Sequence, residues 1–154
     1  MEATAFDFRW KPTADNGSPI KYVQSVSDKP KILIVDDEPF NIEILQTIIE
    51  KLLKISVKDA CEIARNGSEA IQKVKDDVAS NGGKKSSFNL ILMDCLMPEV
   101  DGYQATIGIR DFLYTSGIDQ PIIIAVTGHS GEDSKQKALN TGMNMMIVKP
   151  CSPD

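Results

Sequence analysis

Four short apolar runs in this 154-residue chain each deliver a side chain that can do chemistry. Ile32-Leu33-Ile34-Val35 runs into Asp36, Asp37 and Glu38, and Leu90-Ile91-Leu92-Met93 runs into Asp94. Ile122-Ile123-Ile124-Ala125-Val126, opened by Pro121, runs into Thr127, and Met145-Met146-Ile147-Val148 runs into Lys149. Carboxylates packed together repel one another and raise one another's pKa unless a cation joins them. Hard carboxylate oxygens suit Mg2+, which is commonly held by one or two carboxylates plus a phosphate oxygen. A hydroxyl such as Thr127 can donate to a phosphoryl oxygen, and an ammonium such as Lys149 supplies a compact positive charge. One of the carboxylates could then serve as nucleophile and form an acyl phosphate. The metal and the ammonium would offset charge on the transferring group, where phosphoryl-transfer catalysis mostly lies.

These side chains work together only if one edge of the fold gathers them. Continuous rather than alternating apolar runs are what strands buried on both faces require. A fainter strand is expected within Ser56–Ala64. Between the runs lie helical segments: Pro39 suits a first turn, with Ile42, Leu45, Ile48, Ile49 and Leu52 following at helical spacing. Ala70, Ile71, Val74 and Val78 mark a second helix, ending near the Asn81–Lys85 loop. Ile109, Phe112 and Leu113 mark a third. Ser130-Gly131-Glu132-Asp133 predicts a capping box opening a fourth, which Gly142 closes. Strands alternating with helices make an α/β fold with a parallel sheet. In such a sheet ligands bind outside the carboxyl ends of the strands, where all four runs end.

Composition narrows the alternatives. Apolar residues make up 42% and charged residues 25%, enough to fill one globular core. Seventeen basic against twenty-two acidic side chains leave a net charge of −5, which argues against a nucleic-acid partner. No apolar run approaches the ~20 residues of a membrane helix, and the N-terminus lacks the apolar stretch of a secretory signal. Three scattered cysteines point to a reducing, cytoplasmic setting. A single histidine, His129, excludes multi-histidine metal sites.

Lys31-Ile-Leu-Ile-Val-Asp-Asp-Glu38, Leu92-Met-Asp-Cys-Leu-Met-Pro-Glu-Val-Asp-Gly102, Ala125-Val-Thr127 and Val148-Lys-Pro150 together resemble the receiver domain of two-component response regulators. The match spans about Lys31 to Pro150. Asp37 to Asp94, Asp94 to Thr127 and Thr127 to Lys149 are separated by 57, 33 and 22 residues. The first two separations are slightly long for the family, with the surplus in the Asn81–Ser87 loop and around Thr115–Gln120. The resemblance implies a doubly wound, flavodoxin-like sheet of five parallel strands in the order 2-1-3-4-5. It implies that Asp94 is the phospho-acceptor and that Asp36, Asp37 and Asp94 bind Mg2+, with the Cys95 backbone carbonyl as a further ligand. Thr127 matches the switch hydroxyl and Lys149 the lysine of the pattern. Pro150 matches a proline whose preceding peptide bond is often cis. The expected partner is a histidine kinase or a histidine phosphotransfer protein. Asp37-Glu-Pro-Phe-Asn41 and Gly142-Met-Asn144 are most similar to receivers of hybrid sensor kinases.

Other residues read more plainly. Asp101 is expected as a turn or capping residue, Glu38 as a helix N-terminal acid, His129 as a solvated loop residue and Cys95 as a small packing residue. Met143, Met145 and Met146 read as core and partner surface, since thioethers are poor Mg2+ ligands. Two departures stand out. Met146 occupies the position three before the lysine where the family usually has an aromatic ring, and the chain stops at Asp154, where the family continues into a fifth helix. The expectation is a leader over 1–30 and a C-terminally truncated receiver over 31–154. The leader is either mobile or partly docked, and its Phe6, Phe8, Trp10, Tyr22 and Val23 could fold over the gap that the missing helix leaves; a partner chain filling that gap stays open as well. Two other functions remain open at this point. One is a phosphorylation-independent interaction module. The other is a Mg2+-dependent phosphohydrolase, which would need a second acid where Leu96 stands.

Overall fold

The computed structural model describes residues 10–23, 30–129 and 131–149. Five strands, β1 (Lys31–Val35), β2 (Cys61–Ala64), β3 (Phe88–Asp94), β4 (Ile122–Thr127) and β5 (Met145–Val148), form one parallel sheet in the order β2-β1-β3-β4-β5. The helices are α1 (Pro39–Leu53), α2 (Val57–Ala60), α3 (Gly67–Ser80), α4 (Gly102–Thr115) and α5 (Glu132–Asn140). Fold class and strand order are those expected.

The apolar runs become strands because both of their faces are covered. Side chains alternate across a strand, so Leu33, Val35, Ile91, Met93, Ile123 and Ala125 join the α3, α4 and α5 side chains in one core. Ile32, Ile34, Leu92 and Val126 face the other way and pack with Ile42, Leu45 and Ile49 of α1. β5 departs from this rule: Met145, Ile147 and Val148 are exposed, because β5 is an edge strand with one neighbour.

Two local expectations change. The faint strand within Ser56–Ala64 divides, its first part being the single turn of α2 and only Cys61–Ala64 joining the sheet. At α5 the N-cap is Gly131 and no side chain caps the helix, so the expected capping box does not form over the described residues. Ser130, Pro150 and residues 151–154 lie outside them, as do Phe6 and Phe8.

Residues 10–23 dock against the C-terminal half of α4 and the turn before β4, with Trp10 also against Gly142 in the turn before β5. Trp10 is buried and meets Tyr114 edge-on, with ring centroids 6.3 Å apart. The Tyr114 hydroxyl lies 2.9 Å from the Ser18 carbonyl, and Gln120 exchanges backbone bonds with Lys21 and Val23 at 2.7 and 3.1 Å. The described part of the leader is thus docked, on α4 and on the turns that hold Gln120 and Gly142.

Candidate functional site

The carboxyl edge of the sheet gathers the acids. Asp36 leaves β1 with its N–H donated to the Ala64 carbonyl at 3.1 Å, which turns its side chain inward and buries it fully. Asp36 Oδ1 accepts from the Glu38 N–H at 2.9 Å and from Asn41 Nδ2 at 3.4 Å. Its Oδ2 faces Lys149 Nζ at 2.8 Å, and the same ammonium lies 3.4 Å from Asp94 Oδ1. Lys149 is brought there because its N–H bonds to the Thr127 carbonyl at 2.7 Å, continuing the β4–β5 ladder by one residue. Carboxylate oxygens of Asp36, Asp37 and Asp94 lie within 4.8 Å of one another, and Asp37 alone of the three is exposed.

This packing sets the charge of Asp94. Burial, followed by the Asp36 charge, pushes its pKa up from 3.8 to about 6, while Lys149 and the Leu96 N–H pull it back. Burial also works against the Lys149 ammonium, but the bond to Asp36 and the charges of Asp94 and Asp36 outweigh it and hold its pKa above the ordinary value. Three carboxylates sharing one ammonium leave excess negative charge. The donor set, all hard oxygens with one acid open to water, fits Mg2+.

The loop after β3 is built to hold Asp94 still. Asp101 caps α4 by a reciprocal box: its side chain accepts from the Gln104 N–H at 2.8 Å and its own N–H donates to Gln104 Oε1 at 3.0 Å. The Gly102 N–H donates to the Cys95 carbonyl at 3.0 Å, so one of that oxygen's two lone pairs is committed to the loop. Cys95 is fully buried, as a packing residue should be. Thr127 is buried one residue beyond Val126, the register partner of Asp94, and its Oγ1 accepts the His129 N–H at 3.2 Å. His129 is exposed on the following loop. Glu38 occupies the N-cap position of α1 but makes no side-chain cap. Met143 is core, Met145 is exposed and Met146 packs partly buried against the first core.

Three contributors escaped the sequence reading. Asn41 donates to Asp36, one turn into α1. Tyr103 is buried beside Cys95, and its position after Gly102 carried no chemical signal of its own. Arg110 is fully buried on the apolar stripe of α4, three and four residues from Leu113 and Thr106. A charge at that spacing was the available clue. Its guanidinium donates to the Gly142 carbonyl at 2.7 and 2.9 Å, to the Pro121 carbonyl at 2.7 Å and to Asn144 Oδ1 at 2.8 Å.

Comparison with known proteins agrees with this geometry. The response regulator receiver domain family matches residues 32–154. Hybrid signal transduction histidine kinase B of Dictyostelium discoideum is 40% identical over 128 residues, covering 78% of this chain and 6% of that protein. The osmosensing histidine protein kinase SLN1 of Saccharomyces cerevisiae is 36% identical over 121 residues, covering 78% and 9%. The chain therefore spans less than a tenth of either relative. Among solved structures, the receiver domain of the Arabidopsis thaliana histidine kinase CKI1 complexed with Mg2+ is 30% identical with a TM-score of 0.69, covering 77% of this chain and 82% of that one. The receiver domain of Saccharomyces cerevisiae Ssk1, solved with the histidine phosphotransfer protein Ypd1, is 31% identical with a TM-score of 0.66, covering 80% and 81%. With its strand order, acidic edge and matched family in agreement, this chain belongs to the response regulator receiver domains.

Proposed function

We propose that the domain accepts a phosphoryl group onto Asp94 from a phosphohistidine of a partner protein in a phosphorelay. The observation that carries this reading is the Asp94 carboxylate, buried beside a second acid and within 3.4 Å of the Lys149 ammonium. In the transfer, an Asp94 carboxylate oxygen forms the new O–P bond as the N–P bond to the partner imidazole breaks, and the ring nitrogen keeps the electron pair. Lys149 stands where it can neutralise charge on the transferring oxygens, and the Thr127 hydroxyl can donate to one of them. Asp36, Asp37 and Asp94, with the remaining lone pair of the Cys95 carbonyl, would hold Mg2+. When bound, the ion supplies charge neutralisation to the phosphoryl oxygens.

The partner we infer is a histidine phosphotransfer protein or histidine kinase, the former being the partner solved with the similar Ssk1 receiver. Phe40 and Leu96, 69% and 55% exposed beside the acids, offer apolar contact for such a partner. The domain then acts as an acceptor rather than a turnover enzyme. No described helix is long and apolar enough to cross a membrane, and the free thiols of Cys61 and Cys95 suit a cytoplasmic setting.

Incubation with acetyl phosphate and Mg2+, followed by intact mass measurement, tests the proposal. The expected result is one added phosphoryl group on the wild type and none on Asp94→Asn. No gain on the wild type, or the same gain on the variant, would overturn it.

A further inference from the structure

Arg110 ties α4 to the entries of β4 and β5, at the end of the sheet opposite the acids. Its guanidinium donates to the Gly142 carbonyl and to Asn144 Oδ1 before β5, at 2.7 and 2.8 Å, and to the Pro121 carbonyl before β4, at 2.7 Å. Asn144 passes this hold into the sheet. Its Oδ1 also accepts the Ile123 N–H at 2.8 Å, and its own N–H donates to the Ile123 carbonyl at 2.7 Å. The leader closes the cluster from outside: a Cβ built on Gly142 would stand 3.2 Å from Trp10 Cγ, and the Tyr22 ring centre lies 5.4 Å from the guanidinium carbon. We propose that the leader is a strap that fixes the entry of β5 through Trp10, Gly142 and Arg110, and that β5 in turn fixes the Lys149 ammonium among the acids. The hold on β5 stands apart from phosphorylation, and its consequence at the site rests on the phospho-acceptor reading.

β5 needs such a hold. It is four residues long with one strand neighbour, and Met145, Ile147 and Val148 are exposed. A strand with so little burial opens locally at small cost. Lys149 follows its last residue, so the reach of the ammonium to Asp36 at 2.8 Å depends on the bond from its N–H to the Thr127 carbonyl. Arg110 is fully buried, and hydrogen bonds strengthen where water is excluded. Lifting Trp10 admits water, which competes for the guanidinium donors and loosens the entry of β5. Trp10 is therefore a positioning residue, at the opposite end of β5 from the reacting atoms.

Hydrogen exchange of single amides, read by NMR on the full chain without ligand, tests the strap. In Trp10→Ala the Asn144 and Lys149 amides, bonded to Ile123 and Thr127, should exchange about tenfold faster or more. The Asp36 amide, bonded to the Ala64 carbonyl beside β1, should keep its wild-type rate. Trp10→Phe, which keeps a ring over Gly142, should restore most of the protection. Unchanged rates at Asn144 and Lys149, or the same acceleration at Asp36, overturn the strap. Beryllium fluoride with Mg2+, a phosphoryl mimic, then reads the site through the Gly128 amide shift. Trp10→Ala should bind it about threefold or more weakly than the wild type, and equal affinity overturns the step from β5 to the site. A wild type that binds none of the mimic overturns the acceptor reading, while the exchange rates still decide the strap.

Discussion

The Cα of Gly102 lies so close to the backbone of Asp94 that a Cβ built on it would stand 1.9 Å from the Asp94 carbonyl oxygen. The glycine after the α4 cap is thus a consequence of the acceptor's position: the helix begins directly against the residue that carries the chemistry. Gly102→Ala must push the helix start off the strand end. The expected loss is about 3 kcal/mol or more, read by urea denaturation. Gly128→Ala, where a Cβ meets nothing within 4 Å, serves as control and should change stability by at most about 0.5 kcal/mol. Equal stability of the two variants would contradict the close approach.

Asp94 makes the fold less stable when ionised. Its pKa is about 6 in the folded chain against 3.8 for the free group, so between these values the folded state binds more protons than the unfolded state. Stability therefore falls as pH rises through that window, and the penalty is complete above about pH 6. In Mg2+-free buffer, Asp94→Asn should be more stable than the wild type by about 2–3 kcal/mol above that pH. The difference should close as pH falls to 4 and below. Melting temperatures taken across the range decide it; a variant less stable at neutral pH would reverse the sign.

The docked leader has its own reporter, because Trp10 is the single tryptophan. It packs on Gly142, whose φ of +104 favours glycine and where a built Cβ would stand 3.1–3.3 Å from side-chain atoms of Arg110 and Trp10, a tight fit. Arg110 holds that turn through its carbonyl, and its guanidinium also lies 5.4 Å from the centre of the Tyr22 ring. Arg110→Met would leave buried carbonyls without donors, at a cost of about 3 kcal/mol. The Trp10 emission should shift to longer wavelength as the leader loosens. Unchanged emission would separate the leader from the Arg110 cluster.

Much of this protein was legible along the chain because the signals are local. An apolar run buried on both faces is written in consecutive residues, and an acid at its end is placed by the strand itself, as with Val35 to Asp36 and Met93 to Asp94. Asp101 read as a turn or capping residue from its own type, and the partner it caps, Gln104, lies only three residues on. The four residues of α2 were not legible, since one turn gives no periodicity to detect. The exposure of β5 was hidden because its run looks like that of an inner strand, and only its place at the sheet edge leaves it uncovered.

The residue types and their order determined the parallel sheet and the set of groups at its carboxyl edge, because strand pattern and strand ends are short-range properties. Only the tertiary structure decided how those groups meet. Lys149 reaches Asp36 across 113 residues and Thr13 reaches Asp111 across 98. The raised pKa of Asp94, the buried hydrogen bonds of Arg110 and the seat of the leader on α4 all depend on burial and distance, which a linear order of residues does not contain.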